Sequence, residues 1–369
     1  MGKIKILHFE LDNNLGGIES FLLNLYKEID RNVFQFDFIT QSDKPALEND
    51  FLELGANIFK ISKVKNTLQY KKDILKIMTN GYDIIHVHKN SLANIIPLYC
   101  ANEQKIPVIL HSHNTRPSVG KMTYILHQFN KNKAYKIVNE HFACSSEAGK
   151  WMYGNLPYDI VRNGILANRF KFNQLVRSNT RRLLEIPENA FVIGHVGRFT
   201  NQKNHEKLID IFKEILKINK SSYLLLIGEG ENKKRIFEES EKLGLLERIK
   251  FLGNRNDIPE LLMGMDAFVM PSLYEGLPIS AVEAQASGVK TFLSDKISKE
   301  TQLSSVVDWF SIENDSDIIA KLIIEGSKNK IDRTDCNNEI IKAGFSMEST
   351  AKNIEKTYIR YIMNKRGVE

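Results

Sequence analysis

Along the first half of the chain, short runs rich in β-branched and aromatic residues alternate with longer stretches whose apolar positions recur every three or four residues. The runs are IKILHF (4–9), FQFDFIT (34–40), NIFKI (57–61), DIIHVH (83–88), VILHSH (108–113) and HFAC (141–144). This alternation predicts strands of a parallel sheet joined by crossover helices. The second half repeats it with VIGHV (192–196), YLLLIG (223–228), IKFLG (249–253), AFVM (267–270) and KTFL (290–293). An α/β protein of two doubly wound, Rossmann-like domains follows. Between them lies VRNGILANRF (161–170), where Asn163-Gly164 is a turn signal and the periodicity weakens, so the hinge is placed near residue 165. The domains then run 1–165 and 166–345. The segment 346–369, amphipathic from about Ser346 to Asn364, lies beyond the last strand and is expected to pack back on the first domain. Ligands of open parallel sheets bind at the carboxyl ends of the strands, so two such sheets facing each other would form a cleft lined by chemistry.

Composition narrows the partners. With 369 residues and 42% hydrophobic content, the chain can fill two cores. The net charge of +6 comes from lysines and arginines interleaved with acids, which suits an anionic ligand or membrane face and gives no reason to expect nucleic acid. Cys100, Cys144 and Cys336 are too few and too scattered for a disulfide framework or a Cys-x-x-Cys metal site, so a reducing, cytoplasmic setting is expected. The opening MGKIKILHFE has no apolar signal core, and no run approaches the ~18 apolar residues of a membrane span.

Several strand-end loops carry candidate chemistry. In NNLGGIESFLLNL (13–25), Gly16 and Gly17 precede a helix; they either admit a phosphate close to the backbone or simply make a tight turn. In GHVGRFTNQKNHEKLIDIF (194–212), Arg198 and Lys203 either neutralise a diphosphate, doing the work of a magnesium ion, or are ordinary solvated cations. LLIGEGENKKRIF (225–237) has Gly228 and Gly230 but Lys233 in place of the third glycine of a dinucleotide fingerprint. An NAD-dependent oxidoreductase is therefore a weak reading, while a phosphate-approaching turn at Gly228 stays open. Histidines crowd the first domain, with His86/His88 and His111/His113 as His-x-His pairs that share a strand face. No third ligand of suitable spacing is evident, so no metal site is expected; the rings are read as packed or hydrogen-bonded, with His113 facing substrate. ENDSDI (313–318) reads as a helix cap carrying Asp315 and Asp317 rather than a metal motif.

PSLYEGLPISAVEAQASG (271–288) is the most informative stretch. A strand ends at Met270, the chain turns through Pro271 and Gly276, and a helix starts near Pro278. Glu275 is expected on an exposed loop at the strand end and Glu283 about two turns into the helix. Paired glycosidase acids flank one bond ~5–9.5 Å apart; two acids at different levels of one pocket suit holding sugar hydroxyls instead. Glu283, among Ala281, Val282, Ala284 and Ala286, has no cation nearby in the sequence, and a diol would supply its partner.

Taken in order, GGIES, DIIHVH, HSHN, NGI, GRFTNQKNH, IGEGE, FLGNRNDI and the Glu275-x7-Glu283 segment resemble the retaining, nucleotide-sugar-dependent glycosyltransferases of family 4 over nearly the whole chain. More narrowly, they resemble bacterial capsule and exopolysaccharide transferases. The resemblance implies the GT-B fold, with the acceptor on the first domain and the donor on the second. It implies that Arg198 and Lys203 hold the donor diphosphate, with Gly16 and Gly17 closing from the first domain. Glu283 would accept from the ribose. Glu275, with Gly276 and Leu277, would hold the donor sugar and its phosphate, Gly228 would border the donor, His113 would contact the sugar near the reacting carbon, and Arg255 would lie by the base. A UDP-sugar is the expected donor, and a glycan or polyprenyl-linked hydroxyl the acceptor. Neither cofactor nor divalent metal is expected, and domain closure about residue 165 would exclude water. One departure is Leu166, where the family often has Asp after NGI.

SVGKMTYILHQFNKNKAYK (118–136) mixes Met122, Ile125, Leu126 and Phe129 with four lysines; it is either a membrane-surface helix that receives a lipid-linked acceptor or a crossover helix with solvated lysines. Two rival functions share the motifs. A nucleotide-sugar epimerase or hydrolase would consume donor without acceptor, and a non-catalytic accessory subunit would be indifferent to loss of Glu275.

Overall fold

The computed structural model describes residues 2–13, 16–113, 120–328 and 332–366. Asn14, Leu15, Asn114, Ser118, Val119 and residues 367–369, which belong to segments read above, lie outside the described residues. The chain divides into two compact units, Met1–Gly164 with Ser346–Glu369, and Ile165–Phe345.

Unit 1 holds β1 (Ile4–Leu11), β2 (Phe34–Thr40), β3 (Ile58–Lys60), β4 (Ile84–Lys89), β5 (Val108–Ser112), β6 (Glu140–Ala143) and β7 (Asp159–Ile160). All pair in parallel in the order β3-β2-β1-β4-β5-β6-β7. Unit 2 holds β8 (Phe191–Val196), β9 (Ser222–Ile227), β10 (Ile249–Gly253), β11 (Ala267–Met270), β12 (Lys290–Ser294) and β13 (Val307–Phe310). Its parallel sheet runs β10-β9-β8-β11-β12-β13. Two strands escaped the sequence reading for a shared reason. β7 is a two-residue edge whose side chains are exposed, and β13 (VDWF) is an edge strand interrupted by Asp308, so neither forms an apolar run.

Unit 2's central strands are buried on both faces. Ile193, Leu224, Leu226 and Val269 point into one apolar cluster, while Val192, Leu225, Phe268 and Met270 point into the other. This alternation at a period of two explains why they read as continuous apolar runs. In unit 1 the helix Met347–Arg366 covers part of the sheet. Its Ile354 and Tyr358 are fully buried, Tyr358 packs on Phe34 and Phe36, and Glu355 accepts the Asp30 N–H at 2.8 Å.

In each unit the strand order reverses once, between β1 and β4 and between β8 and β11. Successive helices depart to opposite sides there, so the loops part and leave a crevice at the carboxyl ends. These two switch points are where each unit can receive a ligand.

Candidate active site

The unit 2 switch point is built from the loops after β8 and β11. After Val196 the chain runs through Gly197 to Thr200, turns at Asn201–Lys203, and enters the helix His205–Ile218 with Asn204 in the left-handed region at φ 53°. Phe199 is buried and stacks on His205 at 4.0 Å between ring centres, pinning the loop. The second loop is tied to the first: the Leu273 N–H donates to Gln202 O at 2.8 Å, and Gln202 Nε2 donates to Tyr274 O at 2.9 Å.

Across this junction Lys203 Nζ stands 2.7 Å from Glu275 Oε1. Their side chains are only 16% and 12% exposed, so Glu275 is not on an exposed loop as the sequence suggested. Its main chain is clamped, forming a β-bridge with Ile297 and accepting the Ser298 N–H at 3.0 Å, which turns the carboxylate inward. The approach has the distance of an ion pair without the alignment of a hydrogen bond, leaving Oε1 with acceptor capacity to spare. Arg198, on the same loop as Lys203, is exposed and makes no ion pair among the described residues. The junction thus presents a held ammonium, a held carboxylate and a free guanidinium, the groups needed to grip a diphosphate and a polyol.

Glu283 lies in the helix Ile279–Ala286, little more than one turn in rather than two, because it comes only four residues after Ile279, with Pro278 as the N-cap. Burial pushes its carboxyl up to about 7, and Arg169 acts against that rise. Arg169 is the cation that the local sequence lacks. Gly276 O accepts from Thr301 Oγ1 at 3.4 Å, and the Leu277 side chain packs against the core, which holds the turn after Glu275.

Two other expectations change. A Cβ on Gly228, whose φ is +137°, would stand 2.2 Å from Gly197 O, and one on Gly230 would stand 2.6 Å from Phe199 O. Close approach of the β8 loop therefore requires these glycines, with no phosphate needed to explain them. Arg255 is engaged by Asp257 through two hydrogen bonds of 2.7 and 2.5 Å from Nε and Nη2, which fix its guanidinium and leave Nη1 without a hydrogen bond among the described residues. Asp315 occupies the N-cap of the helix Ser316–Gly326 without a side-chain cap bond, and Asp317 pairs with Lys321 at 3.0 Å.

At the unit 1 switch point, Gly16 caps the helix Gly17–Glu28, but its N–H already donates to Glu19 Oε2 at 3.1 Å, and the Asp12 N–H to Glu19 Oε1 at 3.2 Å. Glu19 thus takes the Gly16 donor that a phosphate would want. Gly17 has open space where a Cβ would lie. Sequence reasoning overlooked a pair here: Glu10, at a bulge in β1 with φ +82°, meets Lys89 at the end of β4. Lys89 is almost fully buried, which pushes its ammonium down to about 7, while contact with the Glu10 carboxylate favours the charged form. A charged residue inside the otherwise apolar run ILHFEL was the available signal.

His113 follows β5, with Nε2 2.8 Å from His88 Nδ1 and its ring against Phe21. Burial lowers it to about 3, so the ring is neutral. His88 Nε2 in turn lies 3.0 Å from His8 Nδ1. The third histidine absent from the local spacing is thus His8, brought in by parallel pairing of β1 with β4. The helix Lys121–Tyr135 leaves Met122, Ile125 and Phe129 more than half exposed, with Lys133 over the Phe129 ring at 4.1 Å.

Two parallel sheets of Rossmann type, each with one switch point, define a doubly wound α/β class. Residues 15–165 match the family described as Glycosyltransferase Family 4, and residues 176–343 match Glycosyl transferases group 1. The chain is 32% identical to the glycosyltransferase EpsF of Bacillus subtilis over 317 residues, 80% of each protein. It is 26% identical over 98% of each to the UDP-Gal:alpha-D-GlcNAc-diphosphoundecaprenol alpha-1,3-galactosyltransferase of Escherichia coli. Among solved structures, Anabaena Alr3699/HepE in complex with UDP superposes with a TM-score of 0.78 at 19% identity, covering 96% of this chain and 99% of that one. The same protein is also known with UDP-glucose. This chain belongs to the family 4 glycosyltransferases, with the GT-B fold.

Proposed function

We propose that the protein moves a sugar from a UDP-sugar to a hydroxyl of a glycan or polyprenyl-linked acceptor during synthesis of a cell-surface polysaccharide, retaining the anomeric configuration and needing no divalent metal. The observation that carries this reading is the Lys203–Glu275 pair across the unit 2 switch point, with Arg198 free on the same loop. An arriving diphosphate competes with Glu275 for the Lys203 ammonium and recruits Arg198, while the sugar hydroxyls replace Lys203 as donors to Glu275. Glu283, desolvated and raised to about 7, gains its hydrogen-bond donors from the ribose diol. His113, neutral, is assigned to the donor sugar, and Gly17, with open space where a Cβ would lie, to the donor phosphate.

In the transfer step the bond between the anomeric carbon and the diphosphate oxygen breaks, and the acceptor oxygen bonds to that carbon on the same face. The leaving phosphate takes the acceptor proton. Arg198, Lys203 and the N-terminus of the helix His205–Ile218 stabilise the negative charge that develops, the role a magnesium ion fills elsewhere. UDP is favoured by the donor in the Escherichia coli relative's name and by the UDP complexes of HepE. That relative's acceptor also favours a lipid-linked substrate, and the outward Met122, Ile125 and Phe129 beside Lys121 and Lys133 suit an anionic membrane surface that would deliver it.

The test is calorimetry and thermal shift with UDP, GDP, ADP, dTDP and their sugar conjugates, with and without magnesium. Stabilisation by UDP compounds without magnesium is expected; silence across the panel would overturn the donor site. With an acceptor found, the anomeric coupling constant of the product should match that of the donor. Donor consumed equally well without acceptor would instead support a hydrolase or epimerase.

A further inference from the structure

We propose that His8, His86 and His88 form a structural binding site for a borderline transition metal such as zinc, on one face of the unit 1 sheet. The sheet builds the cluster. Pairing in parallel places His8 opposite His86 and His88 opposite His111, and residues two apart in a strand share a face. Five imidazoles, His8, His86, His88, His111 and His113, therefore line one side of three adjacent strands. His8, His86 and His88 are fully buried, and one ring nitrogen from each lies within 4.8 Å of the others.

Hydrogen bonding among the rings leaves this cluster incomplete. His8, His88 and His113 form a chain through contacts of 3.0 and 2.8 Å. Three neutral rings carry three N–H groups and three lone pairs, and two hydrogen bonds use two of each. One N–H and one lone pair are left at the chain ends, whichever tautomers are chosen. His8 Nε2 and His86 Nε2 have no partner among the described residues. Buried polar groups are almost always satisfied, so a group of orphaned nitrogens on one face calls for an ion or water.

The outer contacts favour an ion. Metal-bound histidines are held through their second nitrogen. Here Tyr358 OH lies 2.7 Å from His86 Nδ1, leaving Nε2 to bind, and His113 holds His88 Nδ1, so that an ion would take the place of the 3.0 Å contact between His88 Nε2 and His8 Nδ1. Three imidazoles with no carboxylate select zinc, copper or nickel over magnesium or calcium, and three histidines with a water form a known zinc set. Tyr358 belongs to the helix Met347–Arg366, so the metal would fasten that helix to the sheet through His86. The three ligands are separate from the residues assigned to sugar transfer, and the proposal stands apart from the metal-free transfer step.

The experiment uses the full chain without an affinity tag, stripped by a chelator and titrated with Co2+ as a spectroscopic probe. Expected is binding of one Co2+ per chain with visible ligand-field bands, displacement by Zn2+, and a higher thermal midpoint with Zn2+ bound. His86→Gln and His8→Asn should abolish the bands. Tyr358→Phe keeps all three ligands and should fold if the others do not; it should weaken metal affinity by about 10- to 100-fold. A wild-type protein without bands would overturn the proposal. So would bands unchanged in a folded His86→Gln, or Co2+ affinity unchanged in Tyr358→Phe.

Discussion

The switch point of unit 1 is spanned by Glu10 and Lys89, and that of unit 2 by Lys203 and Glu275. Both pairs join loops or strand ends that are neighbours in the same strand order, yet they are held differently. Lys89 is the last residue of β4, and Glu10 sits inside β1 with its backbone in the left-handed region, so both are fixed by the sheet itself. Lys203 and Glu275 stand beyond their strands, on loops tied through Gln202. A pair built into strand ends can only be a clamp, whereas a pair on loops can exchange its partner for a ligand without disturbing the sheet. The difference ties the ligand exchange proposed for Lys203 and Glu275 to position relative to the strand end more than to charge.

The largest expected effect is on the loop pair. Lys203→Ala and Glu275→Ala should each lower kcat/KM by at least ~100-fold, because in the proposed site Lys203 meets the leaving diphosphate and Glu275 holds the donor sugar. Near-normal rates in either variant would erase the functional side of the comparison.

Two desolvated acids at these sites, Glu19 buried and Glu283 partly buried, sharpen it. Glu19 and Glu283 each lie in the first turns of a helix that follows a switch-point strand, and burial raises both carboxyls. Glu19 is compensated by the Asp12 and Gly16 N–H groups, while Glu283 has Arg169 acting only weakly against burial. Because the folded value of Glu283 is about 7 against an ordinary 4.5, the folded chain holds a proton that the unfolded chain has lost between those pH values. Stability therefore falls as pH rises through that window, by about 3 kcal/mol. Glu283→Gln should remove this slope in urea melts from pH 4 to 8, and UDP binding by the wild type should tighten as pH rises through 7. Parallel stability curves for the two proteins would refute the assignment.

Next comes the strand-end pair. Glu10→Ala leaves the Lys89 ammonium buried and alone, which should cost about 2 kcal/mol; this is less than for a fully buried pair, because Glu10 is a third exposed. UDP affinity should not change. A loss of UDP affinity equal to that of Glu275→Ala would make the two pairs functionally alike and break the distinction.

The fold was legible because the inner strands are buried on both faces; only the edges β7 and β13, short or interrupted by charge, left no apolar run. At the site, Arg198, Lys203, Glu275 and Glu283 stood out as charges in strand-end loops and in an apolar helix. What could not be read was who meets whom. Lys203 and Glu275 are joined by the adjacency of β8 and β11, Glu10 and Lys89 by that of β1 and β4, and His8 reaches the His-x-His pairs by the same register. Local spacing carries no record of strand order, so Arg169 beside Glu283 was equally hidden. Glycine pairs were ambiguous for another reason: a residue type that permits close approach does not say whether ligand or backbone approaches.

That ambiguity sets the smallest prediction. Gly228 is occupied by its own protein, with Gly197 O where a side chain would start, whereas Gly17 faces open space at the head of the helix Gly17–Glu28. Gly17 is not among the residues with positive φ, so alanine fits its backbone and lowers the entropy of the unfolded chain. Gly17→Ala should therefore leave stability unchanged or raise it by about 0.4–1 kcal/mol. If the space is reserved for a donor phosphate, the added methyl will appear as a higher KM for the sugar nucleotide with an unaltered melting curve. An unchanged KM would make Gly17 part of a plain turn and remove unit 1's glycines from the donor site, leaving the diphosphate to the loops of unit 2.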